Sequence, residues 1–189
     1  MKYLIFRTDR IGDFLITLPL LKSIKRNFNN SEISVVVSPK NIDFVKNNIL
    51  VDKVYLLKSN KLIDKIKLFM ELKKYSYEAI VVADKKNRSI FLSLFLDGKK
   101  KIFNVSKYFQ KIFLNIFYNN ISLDNDMLKN LPVKEILKIN CKMLNINLID
   151  DDYIFFDMNQ FKKKFYLDNI LDLEKLEYIV FHYDEKWEL

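Results

Sequence analysis

The sequence predicts an α/β protein built on a Rossmann-like, doubly wound parallel sheet. Three observations predict it. Short apolar runs of strand character alternate with amphipathic runs at helical spacing from residue 2 to about residue 103. Half of the 189 residues are hydrophobic and 14% are aromatic, enough for a real core and too apolar for disorder. A polar, glycine-bearing loop, RTDRIGD (Arg7 to Asp13), follows the first apolar run directly, at the edge where such sheets bind ligands.

The elements follow in order. Residues 2–7 are short, apolar and aromatic, the pattern of a buried strand. Residues 13–28 place Phe14, Leu18, Leu21, Ile24 and Phe28 at helical spacing. Pro19 leaves two options: a helix kinked there, or one whose regular part begins near Thr17. Glu32 to Val37 is β-branched and strand-like, Ser38-Pro39 closes it, and a short helix is expected over 41–48. Lys53 to Leu57 alternates into a third strand. Residues 60–74 form a helix with Leu62, Ile66, Phe69 and Leu72 expected on its inner face. Ala79 to Ala83 gives a fourth strand and Asn87 to Leu96 a fourth helix, with Lys100 to Phe103 as a fifth strand after Gly98. Right-handed crossovers put loops 8–13 and 84–88 at one edge of the sheet.

After residue 104 the order changes. Residues 106–118 carry Phe109, Ile112, Phe113, Ile116 and Phe117 in one stripe, Ser122 to Asn130 is polar, and 133–146 and 160–176 are helical in pattern. Tyr178 to Phe181 is a new strand. The expected domains are a Rossmann-like unit over 1–130, a helical connection over 131–177 and the start of a second domain over 178–189.

Composition narrows the function. The single cysteine, Cys141, rules out an internal disulfide framework and suits a reducing compartment; inside a helical pattern, it is expected in the core. The N-terminal apolar run is cut short by Arg7, unlike a signal peptide, and no apolar stretch reaches the roughly 20 residues of a membrane span. A cytoplasmic protein is expected. The net charge of +8 fits phosphorylated substrates, nucleic acid or an anionic membrane surface, and equally an AT-rich coding bias. Segment 99–118 holds five lysines and no acidic residue alongside its aromatic stripe. It is either a helix packed on its own domain or a contact to anionic lipid or a lipid-linked acceptor at the inner face of the membrane. No nucleic-acid module is recognisable, and no nucleic-acid partner is expected.

Candidate sites sort by the same logic. RTDRIGD lacks the two further glycines of the dinucleotide fingerprint. Asp13, where a helix begins, is either an N-cap or a general base at the cleft edge. Asp124-Asn125-Asp126 lies in a polar linker rather than at a strand end, and Asp150 to Asp152 is a solvated turn. His182, the only histidine, has no cysteine near it to make a zinc site, and no metal is expected.

RTDRIGDFLITLPLLKSIK resembles the opening of glycosyltransferase family 9, the lipopolysaccharide heptosyltransferases: an apolar strand, R-x-D-x-I-G-D, a proline and a leucine-rich helix. YEAIVVADKKNRSIFLSLFLDGKKKIF is similar to that family's fourth strand, polar loop and following helix. FHYDEKW resembles the first strand of its C-terminal domain. The resemblance is good over 2–105, weak over 106–177 and resumes over 178–187. It implies the N-terminal half of a GT-B fold, two Rossmann-like domains facing across a cleft. The activity implied is inverting, metal-independent transfer of a sugar from a nucleotide-sugar to a saccharide or lipid-linked acceptor in cell-envelope polysaccharide synthesis, with no cofactor. By position it makes Asp13 the base on the acceptor hydroxyl and Gly12 a point of close approach. It puts Arg10, Asn87 and Arg88 on the acceptor side and Lys186 on the donor phosphate. Family members are longer, so the chain is expected to lack most of the donor half. A non-catalytic Rossmann-like binding or scaffold protein, a decayed transferase, is the alternative.

Overall fold

A computed structural model describes residues 1–104, 122–123 and 131–148. Its elements are β1 (Lys2–Phe6), α1 (Ile11–Asn27), β2 (Glu32–Val37), α2 (Ile42–Val45), β3 (Lys53–Leu56), α3 (Leu62–Leu72), β4 (Tyr77–Val82), α4 (Asn87–Leu94), β5 (Gly98–Asn104), β6 (Ser122–Leu123) and α5 (Val133–Leu144). The strands form one parallel sheet in the order β3-β2-β1-β4-β5-β6. The order reverses at β1, between β2 and β4. That is the switch point of a doubly wound sheet, and the expected fold class is borne out.

The two-residue period of a strand explains why the central strands read as continuous apolar runs. Tyr3 and Ile5 of β1 face one layer; Leu4 and Phe6 face the other. The first layer packs Phe14, Leu18, Leu21 and Ile24 of α1, together with Leu137, Cys141 and Leu144 of α5. The second packs Leu68 and Leu72 of α3 with Ile90, Leu92 and Leu94 of α4. Full burial of such side chains contributes about 1.5–3 kcal/mol each. Gly98 opens β5 where a side chain would collide, since a Cβ there would lie 2.8 Å from Ile80 Cδ1.

Three expectations need correction. α1 starts at Ile11, two residues before the expected start, and runs unbroken past Pro19 to Asn27, so it does not begin near Thr17. The helix expected over 41–48 spans only Ile42–Val45. The inner face of α3 is Leu68 and Leu72, with Phe69 half-buried beside them. Leu62 and Ile66 are 71% and 51% exposed, and with Phe91 and Phe95 they border a groove of about 450 Å³ between α3 and α4.

Cys141 is fully buried, as expected, and burial pushes its thiol up to about 11. Of the basic segment 99–118, the described part is strand: Lys99 pairs with Glu78 at 2.8 Å and Lys101 donates to the Leu94 carbonyl. Residues 105–118, Asp124 to Asp126, Asp150 to Asp152, 160–176, Tyr178 to Phe181, His182 and Lys186 lie outside the described residues. No helix among the described residues is long and apolar enough to cross a membrane.

Candidate functional site

The parallel pairing of β1 with β4 sets Phe6 beside Val82, so the loops leaving these two strands are neighbours. Two struts hold the β1 loop. Arg7 donates from Nε to the Asp13 carbonyl at 2.7 Å and from Nη1 to the Ala83 carbonyl at 2.8 Å and to Asp9 at 3.2 Å. Asn41, after β2, donates to the Arg7 carbonyl at 2.8 Å.

The second strut is a buried carboxylate. Asp84 is 6% exposed and follows β4 by two residues. Its Oδ2 accepts from the Thr8 hydroxyl at 2.5 Å, the Thr8 N–H at 3.3 Å and the Ser89 hydroxyl at 2.6 Å; its Oδ1 accepts from the Lys86 N–H at 3.2 Å. Charge-assisted bonds of this kind are the strong ones. Between Asp84 and Lys86, Lys85 adopts a φ of 55°, a left-handed conformation unusual for a residue with a side chain.

Asp13 is the third residue of α1, not its cap; Arg10 occupies the cap position. The carboxylate reaches back to accept from the Arg10 N–H at 3.2 Å. That uses one oxygen of Asp13 for a helix-end N–H, in the manner of a capping-box acid. From across the edge, Lys86 Nζ donates to the Thr8 carbonyl at 2.8 Å. Arg88 bridges Asn60 at 2.8 Å and the Thr8 hydroxyl at 3.0 Å.

These groups border one cleft of about 590 Å³. Its lining includes Arg10, Lys40, Lys58, Lys86 and Arg88, facing the carboxylates of Asp9 and Asp13. The excess of cations suits an anionic group. Burial pushes the Asp9 carboxyl above its usual range, Arg7 beside it pulls down, and Asp13 and Asp84 push up. Burial lowers Lys85 and Lys86; Arg7 adds to the effect at Lys85 and Arg88 at Lys86, while Asp84 opposes it at Lys86.

Of the residues singled out in the sequence, Asp13, Arg10 and Arg88 meet in this cleft. Gly12 lies within the first turn of α1, and Asn87 is exposed at the first position of α4, off the cleft lining. Thr8, Asn41, Asp84 and Lys86 were missed. An acid straight after the apolar run AIVVA was the available signal for Asp84.

No family model matches the chain. Over 126 residues, 66% of its length, the chain is 29% identical to lipopolysaccharide heptosyltransferase 1 of Campylobacter coli, covering 37% of that protein. Among solved structures, E. coli heptosyltransferase WaaC with ADP superposes with a TM-score of 0.60 at 18% identity, over 80% of this chain and 50% of that one. WaaC with ADP-2-deoxy-2-fluoro heptose matches with a TM-score of 0.59 at 17% identity, over 80% of this chain and 51% of that one. The family 9 glycosyl transferase of Veillonella parvula gives 0.59 at 13% identity, over 79% of this chain and 42% of that one. The resemblance read in the motifs is borne out: the described chain is heptosyltransferase-like in sequence and has the fold of part of a GT-B heptosyltransferase, spanning about half the length of these solved structures and 37% of the curated relative.

Proposed function

We propose that the chain is the acceptor-side half of a heptosyltransferase-type glycosyltransferase. It moves a heptose-like sugar from a nucleotide-sugar to a saccharide or lipid-linked acceptor in lipopolysaccharide-type envelope synthesis. The observation that carries the reading is the position of Asp13, at the ligand edge of the sheet in a cleft with Arg10, Lys86 and Arg88. The likeness to the Campylobacter coli heptosyltransferase and to WaaC, solved with ADP and with an ADP-heptose analogue, supports the donor class.

In this mechanism the acceptor hydroxyl lies against Asp13. Its oxygen attacks the anomeric carbon, that carbon's bond to the diphosphate breaks, and Asp13 takes the hydroxyl proton. A carboxylate is a weak base at neutral pH, so the proton moves only as the hydroxyl becomes acidic in the transition state. Attack opposite the leaving group inverts the anomeric centre. The nucleoside diphosphate leaves with the developing charge, which Lys186 meets by the resemblance and no metal is needed to meet. Arg10 and Arg88 orient an anionic acceptor, and Gly12 keeps the approach to Asp13 open. The work is cytoplasmic, at the inner face of the membrane, with the basic and aromatic segment 99–118 as the contact to anionic lipid.

A form extended through a complete donor-side domain tests this. Asp13→Asn should lower turnover by about two to four orders of magnitude, the usual worth of a general base, as measured by nucleoside diphosphate release. The fold should persist, because Asn retains an oxygen that can accept from the Arg10 N–H. Undiminished turnover in a folded Asp13→Asn variant would remove the base from the mechanism. Absence of transfer in the unmodified extended form would favour a binding or scaffold role.

A further inference from the structure

Nine large apolar side chains are exposed among the described residues, and six of them lie on two neighbouring helices. These are Leu62, Ile63, Ile66 and Met70 of α3 and Phe91 and Phe95 of α4, each more than half exposed. Leu62, Ile66, Phe91 and Phe95 border the groove of about 450 Å³ between the two helices. The Phe91 and Phe95 rings meet edge to face at 5.3 Å. The fold does not use these groups, because Leu68, Leu72, Ile90 and Leu94 already fill the layer beneath them. Apolar surface gathered in one patch, rather than scattered singly, marks a contact.

The charges around the patch are mostly of one sign. Residues 58–74 hold six lysines against Asp64 and Glu71, and residues 85–96 hold three cations and no acid. At about 3.6 residues per turn, the outer side of α3 runs from Leu62 and Ile66, beside α4, across Met70 and Ile63 to Lys74 and Lys67. Glu71 and Asp64 come after those lysines, on the side away from α4, and Asp64 accepts there from the Ser59 hydroxyl at 2.5 Å. Lys65 and Lys73 line the groove itself, with the Lys73 ammonium 5.8 Å from the Phe69 ring centre. A partner for this face is therefore anionic as well as apolar.

The helix composition separates a bilayer from an acidic protein. Protein–protein interfaces are depleted of lysine and rich in hydrogen bonds. The sequence of α3, LIDKIKLFMEL, has no uncharged polar residue. Beside α4 it offers apolar groups and ammonium heads alone. That is the pattern of a helix lying at a bilayer surface, where apolar side chains enter the acyl region and lysines stretch back to anionic headgroups. The basic cleft adjoins this face. Its lining residues Asn60 and Arg88 stand just ahead of Leu62 and Phe91 in the chain, and Arg88 donates to Asn60 at 2.8 Å.

We propose that the α3–α4 face is a docking surface for an anionic lipid bilayer. Leu62, Ile66, Met70, Phe91 and Phe95 enter the membrane, and the lysines of α3 meet its headgroups. The contact is separate in sequence from segment 99–118. It brings the mouth of the basic cleft to the lipid surface, where a lipid-linked acceptor presents its head. That use rests on the transferase reading; the docking does not.

The test is sedimentation of the 189-residue chain with vesicles of phosphatidylethanolamine and phosphatidylglycerol, with phosphatidylcholine vesicles as the neutral control. The chain should bind the anionic vesicles and not the neutral ones. Ile66→Glu combined with Phe91→Glu should weaken binding at least about tenfold, since each buried apolar side chain is worth that much or more. Both positions are exposed, so the melting temperature should hold. Lys67→Gln and Lys74→Gln should each weaken binding about fivefold. A fluorescent label reports the contact without disturbing it. Cys141 is buried, so Met70→Cys takes the label alone, and Ile49→Cys supplies a control on the opposite face of the sheet. Emission from position 70 should shift to the blue on anionic vesicles, and emission from position 49 should not. No binding to anionic vesicles would overturn the proposal, as would binding that survives Ile66→Glu with Phe91→Glu and so belongs to segment 99–118 or to net charge. A label at position 70 that stays in water while the chain is bound would overturn it too. Docking through this face without transfer in the extended form would leave the surface standing and remove the transferase reading. Transfer without docking would do the reverse.

Discussion

Gly12 has no internal reason to be glycine. It has no positive φ, and a Cβ built on it meets no atom within 4 Å. In the first turn of a helix, glycine is entropically unfavourable compared with alanine. Open space lies beside it. Stability and activity should separate at this position. Gly12→Ala should raise the unfolding free energy by about 0.4–1 kcal/mol, read from the urea midpoint. In the extended form the same change should weaken acceptor use, read as a higher KM. A stabilised variant with unchanged KM would mean that no substrate passes there. Asp84 illustrates the other limit of residue-level reading. Its partner Ser89 lies in the first turn of α4, but its partner Thr8 lies on the β1 loop, 76 positions away, so that link exists only once β1 and β4 are paired.

At the scale of elements, α1 and α3 show how far periodicity carries. In α1 the expected positions Phe14, Leu18, Leu21 and Ile24 are buried and Phe28, its C-cap, is half-buried, although Leu15, Ile16 and Leu20 make the other faces of the helix apolar too. In α3, LIDKIKLFMEL, apolar residues occupy more than half of the circumference, and two adjacent stripes satisfy helical spacing equally well. The sheet chose the one with Leu68 and Leu72. The expected stripe shares only Leu72 and half-buried Phe69 with it. A substitution series measures the difference. Leu72→Ala should cost about 2–5 kcal/mol, since it leaves a cavity in the second layer. Leu62→Ala and Ile66→Ala should stay within about 0.5 kcal/mol, as exposed positions do. Comparable losses at Ile66 and Leu72 in urea unfolding would mean that α3 is rotated relative to this description. The packing of α5 on α1 had no local signal at all, since nothing in 133–144 names its partner.

For the whole molecule, alternation of strand and helix revealed the class, but not which strands are neighbours. The order β3-β2-β1-β4-β5-β6 makes β1 the strand on which both halves of the sheet depend. Leu4, Ile5 and Phe6 are 0% exposed, with β2 on one side, β4 on the other and a helical layer on each face. β3 has one strand neighbour among the described residues, spans four residues, and leaves Val54, Tyr55 and Leu56 only half-buried. Amides in such an edge can open without unfolding the rest, whereas those of β1 cannot exchange until the sheet comes apart. Native-state hydrogen exchange should therefore give Leu4, Ile5 and Phe6 an opening free energy equal to that of global unfolding. Ile80 and Val81 of β4 should match them. Tyr55 and Leu56 should exchange at least about tenfold faster, an opening easier by about 1.4 kcal/mol or more. The ligand edge inherits this hierarchy: the Asp13 loop leaves the most protected strand, and Arg7 and Asp84 fasten it to the next. Equal protection in β1 and β3 would show that the molecule opens as one unit, and that the cleft gains no rigidity from its place beside the central strand.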